Sequence, residues 1–148
     1  MLPRKYRIHA FLAILALVII FYPSYMKQPD QQVLDASNAA ANAFLRLIDS
    51  GKYQESWQSC SPYLQTKVPL TKWLDELGAV RDTAGKLLER RQVDHTYSKE
   101  AHKKGIPAGD YMVYTYSTTF VNKKDAQETV TLMLGQDGIW RVAGYFIK

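Results

Sequence analysis

The spacing of apolar residues changes once along this chain, and the change falls at Gly85. From Val33 up to that glycine, apolar side chains recur every three or four residues, the spacing of one helix face. Beyond it they recur every second residue, the spacing of one strand face. Helices that precede strands, instead of alternating with them, leave no crossover segments. The strands must therefore join through short turns and run antiparallel. The expected fold is α+β, with three helices packed on one face of an antiparallel sheet of four strands.

In the first half, Val33, Ala36, Ala40, Ala43, Phe44, Leu47 and Ile48 form one stripe, with Asp35, Asn38, Asn42 and Arg46 between them. Gly51 in "DSGK" is placed to cap that helix. A second, short helix carries Tyr53 and Trp57 one turn apart and breaks before Pro62. The third begins near Thr71, a residue type that caps helix N-termini, and points Trp73, Leu74, Leu77 and Val80 inward.

Strands are expected at 86–97, 110–121, 126–134 and 139–147. The first connection, "SKEAHKKGIPAG", is long and polar, whereas "NKKD" and "GQDG" are hairpin-sized. Pairing Val121 with Ala126 and Leu134 with Ile139 sorts the last three strands into two faces. One face takes Met112, Tyr114, Tyr116, Phe120, Thr129, Met133, Trp140, Val142, Gly144 and Phe146. It carries no charge and is assigned to the core under the helices. The other takes Tyr111, Val113, Thr115, Ser117, Thr119, Val121, Glu128, Val130, Leu132, Arg141, Ala143, Tyr145 and Ile147. It is apolar with a few polar groups, a composition that points to a second covered surface.

Ahead of this domain, Ile8 to Met26 is a run of 19 residues without Lys, Arg, Asp or Glu. As a helix it would extend about 28 Å, close to the ~30 Å hydrocarbon thickness of a bilayer. Tyr22 and Tyr25 fall at one end, where amphipathic rings favour the interface, and Arg4, Lys5 and Arg7 precede the run. That charge placement keeps residues 1–7 in the cytoplasm as a basic tip and exports the body. The run also reads as the apolar core of a cleaved signal peptide. An uncleaved anchor over 8–26 is favoured because "FYPSYMKQPD" lacks the spaced pair of small residues that cleavage requires. Residues 27–32 then form a polar linker and 33–148 the exported domain.

The formal net charge of +5 invites a polyanion partner. Four of the 19 basic residues flank the apolar run, however, which leaves fifteen against fourteen acidic residues in 28–148. A body so nearly neutral has no electrostatic footprint for nucleic acid. The single cysteine, Cys60, cannot staple its own domain, and its helical spacing from Trp57 and Leu64 marks it as a packed apolar residue. His95 and His102 are seven apart with no cysteine or paired carboxylate at ligand spacing, so no metal is expected, and no cofactor. Neither a phosphate-cradling glycine loop nor a Ser–His–Asp order is present.

The segments "AANAFLRLIDSGKYQESW", "VRDTAG", "GDYMVYTYSTTFVNKKDAQETVTLM" and "DGIWRVAGYFIK" together resemble the bacterial domain of unknown function 4019 family, from about Ala36 to Lys148. One departure is "DTAG" after Arg81, where members often carry Pro-Leu-Gly. The order of elements is also similar to the nuclear transport factor 2-like (cystatin-like) cone fold. That resemblance implies a curved sheet wrapped round a long helix, with a mouth able to hold a ligand. The family brings no assigned activity and no catalytic residues.

Function is therefore read from layout. The favoured expectation is a single-pass protein of the bacterial inner membrane with its C-terminal domain in the periplasm. That domain would be a non-catalytic binding module that docks an envelope protein or a second copy of itself. Tyr111, Glu128, Arg141 and Tyr145 are the expected partner or ligand surface. The alternative is a small-molecule binder or a ketosteroid-isomerase-like enzyme using the mouth of the cone, with Glu128 as base and Tyr111 or Tyr145 as hydroxyl donor. Against catalysis stands the plain reading of Glu128 as a strand carboxylate held by Arg141, Arg81 or solvent.

Overall fold

A computed structural model describes residues 28–100 and 104–148. The candidate anchor over 8–26, the basic tip and His102 lie outside the described residues. Among those described, no helix is long and apolar enough to cross a membrane.

Among the described residues four helices precede four strands. Helix α1 (Gln31–Asp49) buries Ser37, Ala41, Phe44, Leu45 and Ile48. It ends as expected at Gly51, whose φ of +71° suits a residue without a Cβ. The Gly51 amide donates to the Ile48 carbonyl and the Lys52 amide to that of Leu47, closing the helix. Helix α2 (Tyr53–Gln58) is the short one anticipated. Helix α3 (Pro62–Lys67) was not anticipated, because Pro62 was read only as a breaker. Proline also starts helices, and here the Ser61 hydroxyl caps the turn by accepting from the Leu64 amide at 3.2 Å. Helix α4 (Leu70–Ala84) follows Pro69 directly, so Thr71 lies inside it and is not its cap.

The strands are β1 (Leu87–Glu100), β2 (Gly109–Phe120), β3 (Ala126–Leu134) and β4 (Trp140–Ile147), close to the expected spans. They form one antiparallel sheet in the order β1-β2-β3-β4. Its register differs from the expected one at both hairpins, the second of which pairs Leu134 with Trp140 in place of Ile139, and again at a bulge in β4; each odd displacement moves side chains between faces. Between β2 and β3 the chain reverses three residues early, pairing Thr118 with Ala126. The cause is tertiary: the Val121 amide donates to Lys86 and the Asn122 amide to Ala84 at the end of α4. That contact fixes the turn at Val121–Asn122, and Asp125, at φ +53°, absorbs the surplus. A displacement by an odd number turns β3 over.

The other differences involve β4. Leu134 pairs with Trp140, Leu132 with Val142, and a bulge then shifts the register so that Val130 pairs with Tyr145. An extra residue at a bulge reverses the alternation beyond it. The core face of the sheet therefore holds Tyr114, Tyr116, Glu128, Val130, Leu132, Trp140, Val142, Tyr145 and Ile147. Gln127, Thr129, Thr131 and Phe146 turn outward, with Thr115, Ser117 and Thr119. The expectation of an apolar second face is overturned: most of that face is hydroxyl-bearing and solvated. Its apolar end, at Tyr111, Val113 and Met133, lies beside the loop that carries Gly105 and Pro107, to whose carbonyls Tyr63 and Tyr111 donate.

Beneath the helices, Phe44 meets Trp73 at 6.1 Å and Tyr145 edge-on at 5.3 Å, joining α1, α4 and β4 through one cluster. Aromatic pairs at such distances stabilise by about 0.5–1.5 kcal/mol beyond their area. Cys60 is buried in the break between α2 and α3 and donates to the Ser56 carbonyl at 3.2 Å. Val80, expected inside, is exposed; the inward stripe of α4 is Trp73, Leu77, Arg81 and Ala84.

Candidate functional site

Turning β3 over carries Glu128 from the outer face to the floor of the core, where it is fully buried. Four donors reach its two oxygens. Arg90 Nε donates to Oε2 at 2.6 Å and Arg90 Nη2 to Oε1 at 3.2 Å. The Thr118 hydroxyl donates to Oε2 at 2.6 Å, and the Tyr145 hydroxyl donates to Oε1. Only an ionised carboxylate accepts all four, since a protonated one would itself need an acceptor.

Arg90 also reaches Asp49 at the end of α1, at 2.6 and 2.9 Å. Burial opposes its charge, but the hydrogen bonds to Asp49 and Glu128 outweigh that and hold the guanidinium above its usual pKa. Arg81 approaches Asp49 at 3.2 Å as an ion pair without an aligned hydrogen bond. Its guanidinium carbon lies 4.7 Å from the centroid of the Phe120 ring. Two carboxylates and two guanidiniums thus cancel in one chain that joins α1, α4, β1 and β3, with hydroxyls from β2 and β4. Each long element of the domain contributes one group.

Around this network the phenols resist ionisation. Burial, then the neighbouring Glu128 carboxylate, pushes Tyr145 well above the usual tyrosine range. Burial does the same to Tyr116, up to about 12. Neither is poised to give up a proton near neutral pH.

The four residues expected to form one surface separate into two places. Glu128 and Tyr145 do meet, but inside the core. Tyr111 and Arg141 flank Met133 in one row across the outer face. Tyr111 is buried there, and Arg141 binds Asp137 of the β3–β4 turn at 2.7 and 3.0 Å. That hydrogen bonding holds the Asp137 carboxyl down at about 2. A hollow of about 190 Å³ beside the row is lined by Pro62, Tyr63, Met133 and Arg141. His95 is exposed on β1, its ring 6.1 Å from that of Tyr114.

A different concavity joins apolar walls to exposed apolar side chains. Between α4 and the end of β4 runs a groove of about 210 Å³, lined by Trp73, Glu76, Leu77, Val80, Tyr145, Phe146 and Ile147. Val80 is 42% exposed and Phe146 54% exposed. A neighbouring hollow continues past Val80 and Ile147 to Thr83 and Lys123. Sequence reading placed Val80 and Phe146 in the core. A signal for Val80 was available: Arg81, four residues after Leu77, takes the core position, and its ion pair with Asp49 at 3.2 Å accounts for it. For Phe146 the available sign was Gly144, an isolated strand glycine that pairs with Thr131 just past the bulge that turns Phe146 out.

The family model described as protein of unknown function (DUF4019) matches residues 40–145. The chain belongs to this family. Its match takes in the second half of α1, the other three helices, the whole ion-pair network and the groove, apart from the last two groove residues. No curated protein and no solved structure matches the chain.

Proposed function

We propose that this chain is a non-catalytic binding domain, held on the periplasmic side of the bacterial inner membrane by residues 8–26, and that a protein docks in the α4–β4 groove. The observation that carries the proposal is the groove itself, where Val80 and Phe146 stand exposed beside the apolar walls of Trp73, Leu77 and Tyr145. Exposed apolar side chains clustered at a concavity, not scattered singly, favour a partner. The membrane part of the proposal is supported by the uncharged run and the basic residues before it. The order of four helices and a four-stranded meander is consistent with a cone-type, cystatin-like arrangement.

The enzymatic alternative loses its base. A general base must hold a free lone pair toward the substrate proton. Glu128 spends its oxygens on Arg90, Thr118 and Tyr145, and no hollow described above is lined by it. Its arrangement suits a structural clamp better than a reaction centre.

The test is a photoreactive amino acid at Val80 in the full chain, irradiated in cells. Capture of a protein at Val80 and not at Glu89, which is exposed on β1, is the expected result. Equal capture at the two positions, or none at Val80, overturns the docking proposal.

A further inference from the structure

Among the described residues strand β4 ends the sheet, and one of its edges has no neighbouring strand. Gln127 and Lys148 exchange both backbone hydrogen bonds, at 2.9 and 3.2 Å. Alternation along an antiparallel ladder then aims the backbone groups of Phe146 and Gly144 at β3, and those of Tyr145 and Ile147 outward. At Val142 this outer edge is met by the α2–α3 junction, whose Ser61 amide donates to the Val142 carbonyl at 2.8 Å. Among the described residues, no backbone partner meets the outward groups of Tyr145 and Ile147. Free edges are usually blunted by charge, proline or a bulge. The stretch Tyr145-Phe146-Ile147 has none of these within it, and it forms one wall of the α4–β4 groove.

We propose that the occupant of this edge is a second copy of the same chain, paired antiparallel through residues 145–147 into one continuous eight-stranded sheet. This rests on the docking reading above and names its partner. Centring the pairing on Phe146 sets the outward groups of Tyr145 against those of Ile147 of the second copy, and the reverse. Both residues then find complete backbone partners. Phe146 sits on the two-fold axis as a non-hydrogen-bonded pair, the arrangement that brings facing side chains closest. Its exposed ring thereby covers its own counterpart.

Charge agrees with the same symmetry. Along α4 the groove runs from Trp73 and Glu76, the latter also 3.7 Å from Lys72 on the solvent side, past Val80, to Lys123 in the adjoining hollow. A two-fold axis through Phe146 lays the Glu76 end of one copy toward the Lys123 end of the other. Such self-complementarity is what an isologous interface demands, and an unrelated strand would have no reason to match it. The near-neutral body adds little repulsion between copies.

The experiment uses the full chain in membranes with Phe146→Cys, oxidised mildly and run without reductant. Cys60 stays in place, since it is buried and gives the wild-type blank. A covalent product of twice the 16.9 kDa chain is expected for Phe146→Cys, and none for Ser117→Cys, exposed on the same sheet face. In detergent, Phe146→Lys should halve the protein mass seen by light scattering while leaving the circular dichroism unchanged. Equal products from Phe146→Cys and Ser117→Cys, or an unaltered mass for Phe146→Lys, overturn the self-pairing. If Phe146→Cys gives no dimer while the photoreactive residue at Val80 captures a protein of another mass, self-pairing falls and the docking reading stands. If neither site captures anything, both fall.

Discussion

Replacing Glu128 with Gln separates a structural clamp from a reactive carboxylate. Gln keeps the size but offers one carbonyl oxygen where the carboxylate had two, and its amide points a donor at groups that are themselves donors. Arg90, Thr118 and Tyr145 would compete for that oxygen, and Arg90 would keep only Asp49 as a charged partner. Breaking one side of a buried ion pair costs about 3–5 kcal/mol. Against a total stability of about 5–15 kcal/mol, that is a large share. At about 4 °C per kcal/mol for a domain of this size, the midpoint of thermal unfolding should fall by about 12–20 °C. Urea unfolding followed by circular dichroism gives the free energy directly, with Glu89→Gln on exposed β1 as the surface control, expected within about 0.5 kcal/mol of wild type. Replacing the whole set, Arg90→Met and Glu128→Leu with Thr118→Val and Tyr145→Phe, should recover much of the loss, because neither a buried charge nor an orphaned hydroxyl is left facing Glu128's place. A Glu128→Gln protein as stable as the control, or more stable, would refute the clamp. That outcome is the signature of a carboxylate held at a cost for function.

Two further outcomes follow from the buried phenols and the thiol. Burial and the Glu128 carboxylate raise Tyr145, and burial takes Tyr116 to about 12, whereas unfolded tyrosines ionise near pH 10. From about pH 10 upward the unfolded chain therefore binds fewer protons than the folded one, so stability is full below that pH and is lost as pH rises. The urea midpoint should drop between pH 9 and pH 11.5, and drop less in Tyr145→Phe relative to that variant's own value at pH 9; equal drops contradict the assignment. Burial likewise pushes the Cys60 thiol up to about 12, so a maleimide at pH 7.5 should label it slowly in the folded protein and rapidly in urea. Fast labelling without denaturant would show the α2–α3 junction to be open.

Local chemistry settled much of this protein before any tertiary contact was considered. The switch of period at Gly85, the αL cap at Gly51 and the hairpin-sized gaps gave the order of elements and the antiparallel sheet. Strand ends came within a few residues, since each is marked by glycine or a polar cluster. The core membership of Tyr114, Tyr116, Trp140 and Val142 came out as expected only because the two hairpin displacements, of three residues and of one, cancel in parity for the first half of β4. Even the meeting of Glu128 with Tyr145 was legible, though on the wrong face.

Tertiary structure decided which way β3 and the end of β4 face. A two-residue period makes the inside and the outside of a strand differ by a single step, so one misplaced turn residue inverts a whole strand. The turn after β2 is set by amides of Val121 and Asn122 bonding the end of α4, a partner distant in sequence. The β4 bulge inserts its extra residue beside Gly144, a glycine that hints at a bulge or a close approach without saying which. Those two shifts bury Glu128 among four donors and leave Phe146 beside a free strand edge. Sequence alone could pair the groups, but only the folded chain could say which pair faced water.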